Sequence, residues 1–196
     1  MERDATAPPN RNSAPPGANL IQMRRITLIS TGGTIEKTYD EHSGSLENRS
    51  SVVQGMLSLL RLEDTVVNTL QLMHKDSLHL TEADRERIVG AVELIVGPPN
   101  APTDSEGLVI LHGTDTLCQT GLLLHERLAG WLRVPVILTG AMRPFEMKRS
   151  DALQNLTEAI FATGVLTPGV WVVAHGKALR FPGPYKDRDH GTFRMP

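Results

Sequence analysis

From Arg24 onward, short runs of Val, Ile and Leu alternate with longer stretches in which apolar residues recur every three or four positions. The short runs are Ile26 to Ser30, Val66 to Leu72, Leu108 to Leu111, Val134 to Leu138 and Val170 to Ala174. Their near-continuous apolar character predicts strands buried on both faces, as in a parallel sheet. Val52, Val53, Met56, Leu57 and Leu60 share one helical face in the first connection, and Ile88, Ala91, Val92 and Ile95 share one in the next. Thr81 and Asp84 have the spacing of a capping box, and Ser50 is placed to cap the helix before them. Further helices are expected from about Thr116 to Gly130 and from about Asp151 to Thr163. Strands alternating with helices specify an α/β fold: an open, doubly wound, mostly parallel sheet of about five strands with helices on both faces.

The first 22 residues break this pattern. Pro8, Pro9, Pro15 and Pro16 lie among Asn, Ala and Ser, with almost no bulky apolar side chain before Leu20, which predicts a disordered tail over 1–22 and one domain over 23–196. Hydrophobic residues make up 40% and charged residues 21%, the make-up of a soluble globular protein. Twenty Lys and Arg against 22 Asp and Glu leave a net charge of -2, with no long basic run, so nucleic acid is not an expected partner. The apolar runs fall well short of the roughly 20 residues that cross a bilayer, and no signal peptide is expected, so no membrane contact is either. The lone Cys118 cannot form an internal disulfide and falls on a helix face, where it reads as a small apolar filler. A cytoplasmic location is the expectation.

In open α/β sheets, ligands bind beyond the carboxyl ends of the strands. There this chain places Thr31-Gly32-Gly33-Thr34, Lys75-Asp76-Ser77, His112-Gly113-Thr114-Asp115-Thr116, Thr139-Gly140-Ala141-Met142-Arg143-Pro144 and His175-Gly176-Lys177. The Gly32-Gly33 pair permits a tight turn that exposes a hydroxyl, although by itself it equally describes an ordinary strand-to-helix turn. Neither a GxGxxG nor a GxxxxGK[ST] sequence follows any strand, which removes a phosphate cradle. Thr114 and Asp115 could simply cap the next helix, or they could serve a nucleophile. A threonine hydroxyl needs a base to take its proton, and Lys186 is one candidate. His74, His79, His112, His175 and His190 are scattered rather than set at a zinc spacing, so neither metal nor cofactor is expected.

Through Thr31-Gly32-Gly33-Thr34-Ile35 and His112-Gly113-Thr114-Asp115-Thr116, supported by Gly140-Ala141-Met142-Arg143-Pro144, the chain resembles the bacterial-type asparaginases. The resemblance runs from about Arg24 to Phe193 and covers the amino-terminal catalytic domain of that family, as in its short, single-domain members. It implies that Thr34 is the nucleophile and that Tyr39, in a mobile loop, assists proton transfer. It further implies that Ser77 holds the substrate's α-carboxylate, with Gly33 and Asp76 also among the substrate-binding residues. Thr114, Asp115 and Lys186 would form the proton-accepting group, with Asp115 also meeting the α-amino group. Backbone N–H groups near Gly33 and Thr114 would face the oxyanion. Lys186 is chosen through the Thr192-Phe193 pair that follows it, with Lys177 as the second candidate. The implied reaction is hydrolysis of L-asparagine to L-aspartate and ammonia through a β-aspartyl acyl-enzyme. Leu78 after Ser77 implies a preference for asparagine over glutamine. Self-association into a dimer or tetramer is expected to complete the pocket. The rival readings are a non-catalytic module that binds asparagine or aspartate, and an amidase for glutamine or another carboxamide.

Overall fold

The structure is a computed structural model and describes residues 23–98 and 102–196, so the tail expected over 1–22 lies outside the described residues. Strand β1 (Arg24–Gly32) leads into a short hairpin of β2 (Thr38–Asp40) and β3 (Ser45–Glu47), then α1 (Val53–Ser58), β4 (Thr65–Lys75) and α2 (Glu82–Val96). There follow β5 (Leu108–Leu111), α3 (Leu117–Leu128), β6 (Pro135–Thr139), α4 (Ala152–Ala162), β7 (Gly169–Ala174) and β8 (Lys177–Arg180). A second hairpin, β9 (Tyr185–Asp187) and β10 (Thr192–Arg194), closes the described chain.

One six-stranded sheet, in the order β4-β1-β5-β6-β7-β8, forms the centre. Its first five strands are the five anticipated from the apolar runs, and all pair in parallel. The sixth, β8, runs antiparallel to β7. Its Lys-Ala-Leu-Arg sequence carries no apolar run and gave no signal. It forms because His175 (φ 54) and Gly176 (φ 73) both adopt the left-handed backbone that a two-residue hairpin requires, which folds the chain straight back along β7.

Successive strand residues point to opposite faces, and both faces are covered. Ile29, Leu108, Ile110, Val136, Leu138, Val170 and Val172 pack with Ile88 and Val92 of α2 and Leu117, Leu124 and Leu128 of α3. On the other side, Leu28, Val109, Leu111, Ile137 and Val173 pack with Met56 of α1 and Leu156 and Ile160 of α4. This is the doubly wound arrangement. Thr81 and Asp84 form the expected capping box of α2, and Asp84 also binds Lys75 Nζ at 2.7 Å, which ties the helix to the end of β4. The first helix is shorter than its apolar pattern suggests. Ser50 does not cap it, and Val52 stands at its start with no side-chain cap.

On α3, Gly121 faces the ring of Phe181, a residue 2% exposed; a β carbon on Gly121 would lie 2.2 Å from Phe181 Cζ. The glycine is therefore required by the seating of the segment that leads to β9. Gly121→Val should destabilise the fold by about 1 to 3 kcal/mol through overpacking. Thermal unfolding tests this, and an unchanged melting temperature would show that the Phe181 ring can move aside at no cost.

Candidate active site at the carboxyl ends of the strands

Four loops meet at the carboxyl end of the sheet, and glycines set how closely they approach. A β carbon on Gly32 (φ 96) would lie 2.5 Å from the Lys75 nitrogen, and one on Gly33 (φ 80) would lie 2.4 Å from Gly113 Cα. In turn, a β carbon on Gly113 would strike Ser77 at 2.5 Å, and one on Gly140 would strike the His112 carbonyl at 2.2 Å. Thr34 and Thr114 each follow directly on the contact between Gly33 and Gly113. The loops after β1, β4, β5 and β6 are thus stacked backbone on backbone.

Buried polar groups hold these loops in place. Glu36, 0% exposed, accepts hydrogen bonds from the Ser30 hydroxyl, from the Gly32 N–H at 3.1 Å and from the Ser51 hydroxyl at 2.7 Å. It fixes the 3-10 turn Thr34–Glu36 and ties that turn to Ser51, whose hydroxyl also accepts the Val53 N–H at the start of α1 at 3.3 Å. His112 contacts the Gly113 carbonyl through Nδ1 at 2.8 Å and the Thr120 hydroxyl through Nε2 at 2.8 Å. Because a carbonyl only accepts, Nδ1 is the donor, and in the neutral ring Nε2 accepts from Thr120. Burial pushes this imidazole down to about 4, against the Gly113 hydrogen bond that favours protonation. Asp151 accepts the N–H groups of Met142 and Arg143 and contacts His175 Nε2 at 2.8 Å. Although burial opposes its charge, the His175 contact and those backbone donors hold its carboxyl down to about 2. His175 Nδ1 lies 3.1 Å from the Thr192 hydroxyl, which links the loop after β6 to the β9–β10 hairpin.

That hairpin delivers Lys186 to the rim. Lys186 pairs with Phe193 across it, and Phe193 is 2% exposed in the core, so Lys186 stands on a fixed base. Its Nζ donates to Thr114 Oγ1 at 2.8 Å and to Asp115 Oδ1 at 3.0 Å. Lys177 points elsewhere, donating to the Phe193 carbonyl at 3.4 Å. Of the two candidate lysines, only Lys186 reaches Thr114 and Asp115. Neither Thr114 nor Asp115 caps α3. Thr116 precedes that helix, and its hydroxyl donates to the Ser77 carbonyl at 2.9 Å, which ties the second and third loops together.

The two threonines of the first loop are distinguished by their surroundings. Thr31 is buried and donates to the Leu111 carbonyl at 2.8 Å, whereas Thr34 is half-buried and its hydroxyl has no hydrogen bond among the described residues. The Ser77 hydroxyl is buried and without a partner. Tyr39, in the β2–β3 hairpin, is 61% exposed, and its hydroxyl is not hydrogen-bonded to Thr34. Two of the expected substrate-binding residues have partners within the protein. The Gly33 N–H donates to the Lys75 carbonyl at 2.8 Å. Asp76 meets Lys37 Nζ at 2.6 Å through one oxygen and accepts the Leu78 N–H through the other. Glu36 and Arg188 escaped notice in the sequence, which marks Asp151 and His175 only as a helix start and a rim residue, not as a pair. Glu36 alone left a sign, a carboxylate directly after the Gly-Gly-Thr turn. Among the described residues, no group of three His, Cys, Asp or Glu could hold a metal ion, and no helix is long and apolar enough to cross a membrane.

These features define an open α/β domain in which the loop carrying Thr34, whose hydroxyl is unbonded among the described residues, packs against the loop carrying the Thr114, Asp115 and Lys186 cluster. The chain belongs to the asparaginase family: the family described as Asparaginase, N-terminal, matches residues 25–185. It is 35% identical over 137 residues to a probable L-asparaginase of Deinococcus radiodurans, covering 70% of this chain and 38% of that protein. It is also 29% identical over 164 residues to a glutamyl-tRNA(Gln) amidotransferase component of Methanococcus vannielii, covering 79% of this chain and 35% of that one. The thermostable L-asparaginase from Thermococcus kodakarensis superposes with a TM-score of 0.77 at 27% identity, covering 87% of this chain and 51% of that one. The chain thus spans between about a third and a half of the relatives it matches.

The neutral, buried His112 gives the fold a defined pH dependence. In the unfolded chain this imidazole titrates near its ordinary value of 6.5, whereas in the fold it resists protonation down to about 4. The unfolded state therefore binds the extra proton between those values. The stabilisation is complete above 6.5 and is lost as pH falls toward 4, by an amount on the order of 2 to 4 kcal/mol. Denaturant unfolding of wild type and His112→Asn across this window should show a steeper loss in wild type. Parallel curves would mean that His112 titrates normally in the fold.

Proposed function

We propose that this chain is an amidohydrolase domain that hydrolyses the side-chain amide of L-asparagine to L-aspartate and ammonia. The observation that carries the reading is the contact of Lys186 Nζ with Thr114 Oγ1 at 2.8 Å and Asp115 Oδ1 at 3.0 Å, one loop away from a threonine whose hydroxyl is unengaged. Family membership supports it, since matched relatives are named L-asparaginases.

In this mechanism Thr34 Oγ1 attacks the amide carbon, with the Tyr39 hydroxyl assisting once the β2–β3 hairpin closes over the substrate. As Thr34 attacks, its proton passes to Thr114 Oγ1 while Thr114 passes its own to the amine of Lys186, which Asp115 orients; the proton returns along the same path to the nitrogen that leaves as ammonia. Collapse of the tetrahedral adduct expels ammonia and leaves a β-aspartyl ester on Thr34, which water then hydrolyses. The oxyanion meets backbone N–H groups at the open start of the Thr34–Glu36 turn and near Thr114. The buried, unpartnered Ser77 hydroxyl suits the substrate's α-carboxylate. The β4–β1 edge of the rim is open, and a second copy of the chain completes it in the proposed dimer or tetramer.

A second reading, an amidase for glutamine or for an amide on a larger carrier, is favoured by relatives named as components of a glutamyl-tRNA(Gln) amidotransferase. Ammonia release by the purified chain from asparagine and from glutamine separates the two. Leu78, 63% exposed beside Ser77, offers no hydrogen bond to the longer substrate, so asparagine should be preferred. Comparable kcat/KM for both would remove that preference.

Thr34→Ala should abolish turnover, lowering kcat by several orders of magnitude with the melting temperature little changed. Lys186→Met should lower kcat by about 10² to 10⁴, while Lys177→Met stays near wild type. Retention of more than a few per cent of activity in Thr34→Ala, or equal activities in the two lysine variants, would overturn these assignments.

A further inference from the structure

Asp115 is shared between two cations. Its Oδ1 meets Lys186 Nζ at 3.0 Å and a guanidinium nitrogen of Arg188 also at 3.0 Å. Neighbouring cations have acids of their own: Lys37 has Asp76, Lys75 has Asp84 and Arg194 has Asp187. At the Lys186, Arg188 and Asp115 cluster, two positive groups face one carboxylate, which leaves one positive charge unneutralised. Arg188 makes a single ion-pair contact and its side chain is 69% exposed, so most of its N–H donors remain available to a ligand.

A second feature of the same crevice points to an anion. Ser77 is 1% exposed, its hydroxyl has no partner, and it lies against Gly113, two residues before Asp115. A buried donor left open is costly unless a ligand fills it. The next residue, Leu78, cannot help to hold a carboxylate.

We propose that Arg188 is a specificity residue that reads a carboxylate on the substrate, so that the site selects ω-monoamides of dicarboxylic acids whether or not they carry an α-amino group. The proposal rests on the amidohydrolase reading above. An incoming ammonium would approach an Asp115 whose charge is already shared by two cations, whereas a carboxylate meets the Ser77 hydroxyl and a planar guanidinium suited to it. Succinamate, which is asparagine without the α-ammonium, is then a substrate and yields succinate and ammonia with one water. β-Alaninamide, which is asparagine without the α-carboxylate, is a poor one.

The experiment measures kcat and KM of wild type, Arg188→Ala and Arg188→Lys on asparagine, succinamate and β-alaninamide, alongside calorimetric titration of wild type and Arg188→Ala with succinate. Wild type should cleave succinamate within about tenfold of asparagine in kcat/KM, and β-alaninamide about a hundredfold less well. Loss of one charge-assisted hydrogen bond should raise KM for the two carboxylate substrates about tenfold or more in Arg188→Ala. Arg188→Lys should recover part of this, and succinate should bind Arg188→Ala more weakly by a similar factor. An unchanged KM in Arg188→Ala, or an equal loss on all three amides, would overturn the proposal, the latter by showing that Arg188 acts through Lys186. If wild type releases no ammonia from any of the three, the amidohydrolase reading fails, and the titration alone decides the inference. Succinate binding that depends on Arg188 upholds carboxylate recognition, and binding that is absent or independent of Arg188 overturns it.

Discussion

Gly33 and Gly113 approach so closely that a β carbon on the former would sit 2.4 Å from the Cα of the latter, and Ser77 lies at a similar distance from the missing β carbon of Gly113. Everything at the rim follows from this stack of backbones. It brings the chain immediately before Thr34 against the chain immediately before Thr114, and it seats Ser77 behind both. Two glycines in the left-handed region, Gly32 and Gly33, turn the chain out of β1 at the height where the stack requires it. A side chain at either contact would separate the loops by the width of a methyl group, a displacement large on the scale of the hydrogen bonds that join Lys186, Thr114 and Asp115.

Close backbone packing leaves loops with polar groups that must be satisfied away from water. The fold meets this with single side chains that each serve several loop atoms. Glu36 gathers two hydroxyls and the Gly32 N–H, His112 bridges Gly113 and Thr120, and Asp151 collects the loop after β6. Among the described residues, the buried Ser77 hydroxyl still has no partner, and no hydrogen bond engages the half-buried Thr34 hydroxyl. The rim is rigid where loops pack on one another and open where a ligand would enter. The β2–β3 hairpin carrying the exposed Tyr39 is the element least tied to the core.

The relatives that share this fold extend over roughly two to three times the length matched by this chain. What the matched region provides is complete in itself at the level of the sheet: both faces are covered, and the four rim loops are held from within. The charge at the mouth is set by the β9–β10 hairpin, which supplies both Lys186 and Arg188. Lys186 and Arg188 thus reach the rim from the final described segment of the domain, where both meet Asp115 of the loop after β5.

Hydrophobic runs placed all five parallel strands and a period near 3.6 placed the helix faces; burial on both sides explains the inner strands, whereas β4 lies at the edge of the sheet and is largely exposed. The capping box of α2 and the placing of every motif at one rim were legible for the same reason: local sequence spacing dictates them. Sequence could not show β8, whose formation depends on two left-handed residues at a turn, nor that Ser51, at the start of α1, is tied to a carboxylate fifteen positions away. It could not show that the Gly33 N–H is spent on Lys75, and although the Thr192-Phe193 pair pointed to Lys186 over Lys177, only the fold brings Lys186 to Asp115, 71 residues earlier in the chain. Arg188 gave no sign at all. Such long-range contacts depend on the path of the whole backbone, which brings together groups whose spacing along the chain carries no period and no motif.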